Sequence, residues 1–360
     1  MDYAYELLDR GYFPDFVLKP IIRHLNNLRI RSLEHGSHAA NFEYKRRFIE
    51  ALKSSDIAIE TDKANEQHYE VDTDFILSTL GPRAKYSCCL YETGKETLAE
   101  AENAMLESYC TKANLADGQS VLDLGCGWGS LCLFLAEKYP NSKIRALSNS
   151  RTQKVYIDGV AKRKGFANLE VFTGDVRTYE FEDGSFDRIL SIEMFEHMKN
   201  YALLFEKVAR WLKPLSAAPS PSNPSQLFLH IFCHKTTPYH FEEDDGWMAK
   251  NFFSGGTMPS HDLFAYFQEH VVLQRTWWLN GEHYARTLYA WLDKQRAENG
   301  WGNKSIKALR EDAKRKGVPE IEGEKTYYRF ALFYLACAVF FGQNGGEEWG
   351  VGHYLFKKRD

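Results

Sequence analysis

The sequence has no surplus of basic residues. Its 360 residues include 45 lysines and arginines against 49 aspartates and glutamates, which gives a formal net charge of -4 at pH 7. Proteins that bind the phosphate backbone of nucleic acids need an excess of positive charge along one face. Nucleic acid is therefore not expected as a partner.

Long hydrophobic runs are missing as well. No apolar run reaches the roughly 18 residues that a membrane span requires. The N-terminus, MDYAYELLDRGYF, contains acidic residues and lacks the apolar region of a signal peptide. The longest apolar run, from Phe330 to Gly342, is predicted to be a buried helix. We expect a soluble, cytoplasmic protein without stable membrane insertion.

The cysteines are few and irregularly spaced. None of the seven stands in a CxxC pair, so the sequence predicts neither a disulfide framework nor a metal site. The simplest interpretation is that all are reduced thiols, at positions Cys88, Cys89, Cys110, Cys126, Cys132, Cys233 and Cys337.

The chain does contain enough apolar residues for a large core and a cap. Hydrophobic residues make up 44% of the sequence and aromatic residues 14%. In residues 1–116 apolar residues recur at helical spacing, and Thr97 and Glu100 form a candidate capping box at the start of the last helix. We expect residues 1–116 to form an all-helical segment.

Between residues 117 and 233 short β-rich runs alternate with amphipathic stretches. Strands are predicted at residues 120–124, 143–148, 169–172, 188–191 and 227–232. Alternation of strands and helices indicates an α/β fold with a mostly parallel sheet, in which ligands bind at the carboxyl ends of the strands. Residues 234–360 are expected to supply cap helices and final strands, near 271–278 and 352–358, that complete this sheet. The Pro- and Ser-rich stretch 215–226 is predicted to be an exposed connection.

A glycine-rich turn follows the first predicted strand. The stretch from Val121 to Gly129 reads VLDLGCGWG, and its glycines allow the backbone to bend with positive φ and to approach a ligand closely. Asp123, near the end of the strand, can bind an ammonium group directly or through water. The spacing differs from the dinucleotide fingerprint GxGxxG, so nothing in the turn demands a pyrophosphate. An ordinary Gly-rich β-to-α turn is the alternative.

This stretch resembles motif I of the Rossmann-like class I S-adenosylmethionine methyltransferases, and other segments agree. GDV at 174–176 resembles the adenine-binding motif, SNS at 148–150 replaces the usual ribose-binding acid, and YSCC at 86–89 matches the YSC element of one branch. That branch comprises the cyclopropane fatty acid synthases and the plant coclaurine-type N-methyltransferases. The resemblance implies S-adenosyl-L-methionine as cofactor, bound by Tyr86, Ser87, Asp123, Gly125, Cys126, Gly127, Ser148, Asn149, Gln153, Asp175, Val176 and Ile192.

A group of acidic and imidazole side chains follows the fourth predicted strand, where residues 191–201 read SIEMFEHMKNY. If this stretch opens a short helix, Glu193, Glu196 and His197 point from one face. Because an aliphatic amine is largely protonated near neutral pH, a carboxylate beside an imidazole could hold the ammonium group and remove its proton. The alternative is that these acids only complement the helix dipole.

The segment FEHMKNY closely resembles the coclaurine-type N-methyltransferases. So do CHKTTPYH at 233–240, GGTMPS at 255–260 and NGGEEW at 344–349. The resemblance covers residues from about 80 to the C-terminus. It implies N-methylation of a small aromatic or alkaloid-like amine, with Glu193, Glu196 and His197 in catalysis and with substrate contacts from His230, Tyr328 and Tyr334. Residues 291–324 do not match well enough for substrate contacts to be carried over.

Two other functions stay open at this point. The cyclopropane synthases hold a bicarbonate base with a Cys, a Glu, a His and a Tyr, and this sequence offers Cys88, Glu196, His230 and Tyr334 as counterparts. Against a lipid substrate, the sequence has no strongly basic amphipathic helix for a bilayer surface. An inactive binding scaffold is the other alternative, although its cofactor turn would be expected to be damaged. The sequence does not fix the oligomeric state, and a homodimer is compatible with it.

Overall fold

Five parallel strands form the first part of a seven-stranded sheet. In the computed structural model, which describes residues 2–58, 72–217, 224–241, 247, 252, 255–297 and 304–359, these strands are β1 (Ser120–Leu124), β2 (Lys143–Ser148), β3 (Leu169–Thr173), β4 (Arg188–Ile192) and β5 (Gln226–His234). A separate ribbon pairs β6 (Tyr239–His240) with β7 (Thr257–Met258). Two antiparallel strands, β8 (Val271–Leu279) and β9 (Trp349–Lys358), complete the sheet in the order β3-β2-β1-β4-β5-β9-β8.

The side chains of successive residues in the parallel strands point to opposite faces of the sheet, because side chains alternate along a strand. Val121 joins one apolar core and Leu122 joins the other, and β5 is buried at every position. Strands that are apolar on both sides belong in a sheet covered by helices on both faces. The predicted α/β fold with a mostly parallel sheet is confirmed.

Helices precede and connect the strands. The first part of the chain forms α1 (Asp2–Asp9), α2 (Asp15–Ser32), α3 (His38–Lys53), α4 (Thr73–Thr79) and α5 (Leu98–Lys112). The predicted capping box is present at the start of α5, where the Thr97 side chain accepts a hydrogen bond from Glu100 N and the Glu100 side chain accepts one from Thr97 N. The strand connections contain α6 (Ser130–Lys138), α7 (Arg151–Lys164) and α8 (Tyr201–Trp211).

The last helices form a cap over the edge of the sheet where the parallel strands end. These are α9 (Glu282–Ala297), α10 (Lys304–Arg315) and α11 (Glu320–Phe341), and α11 packs against α9, α10, α1 and α2. The predicted helix in the longest apolar run is the C-terminal part of α11. None of the described helices is both long enough and apolar enough to span a membrane. Half of the Pro- and Ser-rich connection, residues 218–223, lies outside the described residues.

Candidate active site

The glycine turn between β1 and α6 leaves room for a ligand beside its backbone. Gly125, Gly127 and Gly129 have φ angles of +83°, +50° and +81°, which residues with a Cβ rarely adopt. A Cβ built on Gly125 would lie 2.8 Å from the side chain of Met194, whereas a Cβ on Gly127 would meet no described atom within 4 Å. The turn is therefore tightly packed at Gly125 and open at Gly127.

A small cavity of about 60 Å³ opens beside this turn. In its wall Asp123 Oδ1, Trp128 Nε1 and Ser130 Oγ are buried and have no hydrogen-bond partner among the described residues. Buried polar atoms in native proteins are nearly always paired, so this group indicates a polar ligand. The ammonium and carboxylate groups of the methionine part of S-adenosylmethionine fit such a set of donors and acceptors. The remaining wall residues are Ala84, Lys85, Tyr86, Ser87, Leu106, Tyr109, Gly125, Cys126, Gly127, Leu131, Ile192 and Glu193.

Asp123 is the wall residue best suited to bind an ammonium group. Its Oδ2 accepts a hydrogen bond from Cys132 N (3.1 Å), and burial raises the pKa of the carboxyl to about 7. The negative charge that attracts a cation therefore forms only as the pH rises towards 7 and beyond. Because this pKa lies above that of an unfolded aspartate, the group also makes the free protein less stable as the pH rises from about 4 to about 7.

A pH titration of cofactor affinity tests this role of Asp123. We expect the affinity for S-adenosylmethionine to rise severalfold between about pH 6 and about pH 8 as the carboxylate forms. The Asp123→Asn variant should bind more weakly and lose this part of the pH dependence, because an amide does not ionise. Isothermal titration calorimetry measures both quantities, and an unchanged pH profile in the variant would contradict the assignment.

The end of β2 offers an amide group for a hydroxyl ligand. Ser148 Oγ donates a hydrogen bond to Gln153 Oε1 (2.6 Å), while Gln153 Nε2 is buried and has no hydrogen-bond partner among the described residues. The neighbouring Asn149 is exposed. This arrangement suits a ribose hydroxyl in the place where an acid would otherwise stand.

The end of β3 carries the predicted adenine-binding motif. Both carboxylate oxygens of Asp175 already accept hydrogen bonds from Arg177, from the backbone N and from Nε, each at 2.8 Å. A carboxylate oxygen has a second lone pair, so a further donor such as an exocyclic amine can still bind. Val176 is buried and packs in the core beneath the motif.

The residues after β4 form a tight turn in place of the predicted short helix. Glu193 has a φ of +49°, and only a single 3-10 turn, Phe195–His197, follows it. Left-handed backbone at a residue with a side chain costs about 1 kcal/mol or more, and such strain is often found at functional sites. The turn nevertheless brings Glu193, Glu196 and His197 to the wall of one cavity.

Hydrogen bonds hold the Glu193 carboxylate in one orientation. Its Oε1 accepts hydrogen bonds from Cys88 N and His230 Nε2, both at 2.9 Å, and its Oε2 accepts one from Tyr284 Oη at 2.6 Å. Burial raises the pKa of Glu193, while Lys85 and these hydrogen bonds act in the opposite direction. Glu193 is thus a carboxylate fixed by its surroundings.

Glu196 is buried with less support than Glu193, since only the backbone N–H groups of Glu196 and Phe232, in the described part of the chain, act to lower its pKa. Only 2% of the residue is exposed, and neither side-chain oxygen has a hydrogen-bond partner among the described residues. Burial, together with the nearby charge of Glu193, raises its pKa well above the ordinary value. A buried carboxylate without a partner is unfavourable unless a ligand pairs with it, so Glu196 is suited to a cationic ligand.

A second, much larger cavity of about 930 Å³ contains Glu196 in its wall. Tyr86 and Glu193 line both cavities, so the two spaces meet at these residues. The rings of Tyr86 and Trp291 stack at 5.3 Å, and those of Tyr284 and Phe341 at 4.4 Å. Other aromatic side chains in the wall are Tyr5, Phe13, Phe232, Tyr239, Phe241, Trp247, Phe333 and Phe340. A methyl donor in the small cavity would face an acceptor in the large one.

Helix α2 forms much of the far wall of the large cavity. Its contribution is mostly apolar, and the residues are Leu18, Ile21, Ile22, Leu25, Asn26, Leu28, Arg29 and Ser32. Ile21 and Leu25 are more than half exposed, with 51% and 56% of their surface accessible. The apolar spacing in this helix was visible in the sequence, but periodicity alone does not tell a face that packs in the core from a face that lines a cavity.

The structure does not support the predicted substrate contacts of His230, Tyr328 and Tyr334. None of them is among the described residues that line the large cavity. His230 is only 1% exposed and contacts Glu193 from behind. The hydroxyl of Tyr334 lies 3.1 Å from that of Thr79 inside the cap, and Tyr328 lies beside Gly11. The sequence places Tyr328 and Tyr334 on the capping helix, but it does not show which side of the helix each ring occupies.

Two buried residues of the site were not predicted. Lys85, which immediately precedes the YSCC segment, lines the small cavity and donates hydrogen bonds to Ser87 Oγ and to Cys88 O. Tyr284 contacts Glu193 from α9, in a part of the chain with no recognisable motif. A lysine next to a binding motif is a usable signal, whereas the role of Tyr284 depends on how the cap folds back over the sheet.

Comparison with known proteins shows similarity along nearly the whole chain. The family model described as mycolic acid cyclopropane synthetase matches residues 58–347. The chain is 36% identical to (S)-coclaurine N-methyltransferase of Thalictrum flavum subsp. glaucum over 98% of this chain and 94% of that protein. It superposes with a TM-score of 0.90 and 36% identity on a crystal structure of coclaurine N-methyltransferase bound to N-methylheliamine and SAH, which covers 99% of both chains. The chain is 31% identical to the cyclopropane-fatty-acyl-phospholipid synthase of Escherichia coli (strain K12) over 64% of this chain and 55% of that protein.

Proposed function

The chain belongs to the mycolic acid cyclopropane synthetase family and, within it, to the coclaurine-type N-methyltransferases, and from this premise we propose that its methyl acceptor is a cationic amine with two aromatic ring systems. It is an S-adenosylmethionine-dependent N-methyltransferase. The proposal concerns the acceptor and the residues that bind and activate it.

Glu196, which is buried and whose side-chain oxygens have no hydrogen-bond partner among the described residues, carries this proposal. A protonated amine is the ligand class that pairs with a buried carboxylate, and its nitrogen then lies close to Glu193 where the two cavities meet. The rings of Tyr86, Tyr284 and Trp291 line the same space and can stabilise a cation through its contact with their faces. Both features favour an amine over a neutral alcohol or an olefin.

The size and chemistry of the large cavity favour an acceptor larger than a single bicyclic amine. Pockets for small molecules usually measure about 300–1,000 Å³, and this one has about 930 Å³. Its walls are apolar and aromatic over most of their length, while Asn26, Arg29 and Ser32 of α2 supply polar groups. An amine with a second aromatic ring bearing oxygen substituents matches this distribution.

Different residues of the chain would then bind the cofactor, bind the acceptor and remove its proton. When bound, S-adenosylmethionine supplies an electrophilic methyl group on a sulfonium sulfur. Asp123 and the polar atoms of the small cavity would hold its methionine end, and Glu196, with His197 in the same wall, would hold the acceptor nitrogen. Glu193 would accept the proton from that nitrogen and leave its lone pair free for in-line attack. The apolar walls would exclude water.

A labelling experiment with two acceptor panels tests the proposal. The purified protein is incubated with methyl-labelled S-adenosylmethionine, in one arm with amines carrying one or two aromatic rings and in the other with vesicles of unsaturated phospholipid. We expect label only in the amines, with the highest kcat/KM for those with two rings. Label found only in lipid would contradict the proposed acceptor.

The arrangement of the site gives no support to the lipid alternative. Among the counterparts of the bicarbonate-binding set, only Glu196 lines the large cavity. Cys88 is fully buried, and its thiol contacts Cys89 O at 3.4 Å. His230 and Tyr334 face away, as described above. The sequence match to a cyclopropane synthase is also the more distant and the more partial one.

A further inference from the structure

A line of buried polar side chains leads from Glu193 away from both cavities. Glu193 Oε1 lies 2.9 Å from His230 Nε2, His230 Nδ1 lies 2.9 Å from His353 Nε2, and His353 Nδ1 lies 2.8 Å from Lys112 Nζ. The two histidines are at most 1% exposed, whereas Lys112 is only half-buried. The line therefore connects the reaction site with the protein surface.

The sheet itself sets the spacing of this line. His230 on β5 and His353 on β9 are direct cross-strand partners, and such partners point to the same face of an antiparallel pair. Trp277 on β8 is the next residue across the sheet, and its ring supports the Lys112 ammonium group at 5.4 Å from the centroid. Lys112 is the last residue of α5, so the end of that helix places the Lys112 side chain beside His353.

One assignment of protons satisfies every hydrogen bond in the line. A charged lysine can only donate, so Lys112 donates to His353 Nδ1, and His353 then carries its proton on Nε2. His353 Nε2 donates to His230 Nδ1, and His230 Nε2 donates to Glu193, while Tyr109 Oη lies 2.8 Å from the same Nδ1 and shares its single lone pair. Both imidazoles are neutral in this arrangement, in agreement with the way burial lowers their pKa values.

We infer that Glu193, His230, His353 and Lys112 form a path by which the proton released in N-methylation leaves the buried site. The inference rests on the proposed function, because methylation of an ammonium group must release one proton. Glu193 takes the proton from nitrogen first. The nitrogen–carbon bond then forms as the sulfur–carbon bond breaks. A route through the sheet would return Glu193 to its ionised form after each turnover.

The outward transfer balances at each link. The Glu193 O–H bond breaks as His230 Nε2–H forms, His230 Nδ1–H breaks as His353 Nε2–H forms, and His353 Nδ1–H breaks as Lys112 Nζ–H forms. The result is the donor pattern described above. Lys112 then gives its proton to water, and each imidazole ring turns over so that a nitrogen without a proton again faces the Glu193 side before the next turnover. No step places a positive charge on a buried imidazole for longer than the transfer itself.

The surroundings of Lys112 suit a residue that gives up its proton. Burial, followed by the positive charge of Arg275, lowers the pKa of Lys112 to about 8, against the opposing effect of Glu92. The uncharged Trp277 and His353 are its contacts on the sheet side. On the inner side the histidines face Lys85, and His353 also faces His283.

Substitutions of Lys112 separate proton transfer from a structural role. Lys112→Arg keeps a positive donor but does not release a proton near neutral pH, while Lys112→Met keeps the apolar stem over Trp277. We expect both variants to show a steady-state kcat about tenfold or more below wild type with an accepted amine, while the first turnover keeps nearly the wild-type rate. Cofactor affinity and melting temperature should stay near wild-type values, because Lys112 lines neither cavity.

Added imidazole provides the decisive readout. In Lys112→Met, millimolar imidazole should restore much of the lost rate by carrying the proton from His353 to water, with little effect on wild type. Lys138→Arg is the matched control, since Lys138 is a partly exposed lysine beside the rings of Phe134 and Tyr139, outside both cavities, and should react like wild type.

Two outcomes would overturn the inference. If Lys112→Arg reacts as fast as wild type, the residue acts only through its charge, and if imidazole fails to rescue Lys112→Met, the lysine carries no proton. A wild-type protein that methylates no amine would instead contradict the proposed function, so the two failures are distinguishable.

Discussion

Replacing Glu196 with glutamine is expected to lower kcat/KM for the amine by about a hundredfold or more, because removal of one partner of a buried charge pair costs roughly 2–5 kcal/mol. Glutamine keeps the size of the side chain and removes only its negative charge. The affinity for S-adenosylmethionine should stay within about twofold of wild type, since Glu196 lies outside the small cavity. Steady-state kinetics and calorimetry measure the two effects separately.

The stability of the same variant shows whether Glu196 is structural. Its oxygens are buried and have no hydrogen-bond partner among the described residues, so a neutral amide should leave the melting temperature unchanged or raise it. The raised pKa of Glu196 gives the sign of the pH effect, because ionisation of the buried carboxyl destabilises the free protein as the pH rises through that pKa. Any gain in stability of Glu196→Gln should therefore be larger at higher pH. A large fall in melting temperature together with unchanged kinetics would contradict the assigned role.

The Gly125→Ala variant should lose both cofactor affinity and turnover, each by about tenfold or more. Its φ of +83° is strained for any residue with a Cβ, at about 1–2 kcal/mol. The new methyl group would also lie 2.8 Å from the side chain of Met194, which follows Glu193 directly in the chain. The substitution therefore displaces the cofactor turn and the turn that carries Glu193 at the same time.

Gly118 provides a matched control for this substitution. Its φ is +86°, close to that of Gly125, but a Cβ there would meet no described atom within 4 Å, and the residue lies before β1 at the opposite end of the strand. Gly118→Ala should lose similar stability through backbone strain while binding the cofactor like wild type. Calorimetry and thermal unfolding of both variants test this, and equal loss of binding in the two would show that strain alone explains the effect at Gly125.

The parts of the fold that follow from local chemistry were predictable from the sequence. Local hydrophobic patterns predict the strands that end at Leu124 and Ser148. The capping box at Thr97 is predicted from two side chains that lie close together in the chain. The same holds for the glycine turn, because only glycine accepts its backbone angles without cost. The ends of these strands then indicated the candidate cofactor site, since a parallel sheet binds its ligands there.

The acceptor side of the site could not be predicted as well, because it depends on long-range packing. Glu193 was found from its motif, but its left-handed backbone and its contact with Tyr284 arise only when α9 closes over the sheet. The outer wall of the large cavity comes from α2, whose half-exposed apolar residues look in sequence like any amphipathic helix. The role inferred for His353 depends on its pairing with His230 across β5 and β9. Because the two residues are 123 positions apart in the chain, the sequence alone does not show this contact.

The inferred path from Glu193 to Lys112 and the proposed cation site at Glu196 would serve different steps of one reaction. In the proposed function Glu196 would stabilise a positively charged amine in an apolar cavity, and Glu193 would accept its proton. A neutral acceptor would need neither. An acid that is buried and has no side-chain partner among the described residues, together with aromatic walls, thus favours amine chemistry by physical argument, independently of sequence similarity.

The most direct test of the account is to locate the transferred methyl group. The purified protein is supplied with S-adenosylmethionine carrying a labelled methyl carbon and with an amine that bears two aromatic rings and free hydroxyl groups, and the product is examined by NMR. The account predicts that the label is bonded to nitrogen and that Glu196→Gln forms far less of the same product. Label on oxygen or carbon, or transfer that does not depend on Glu196, would contradict it.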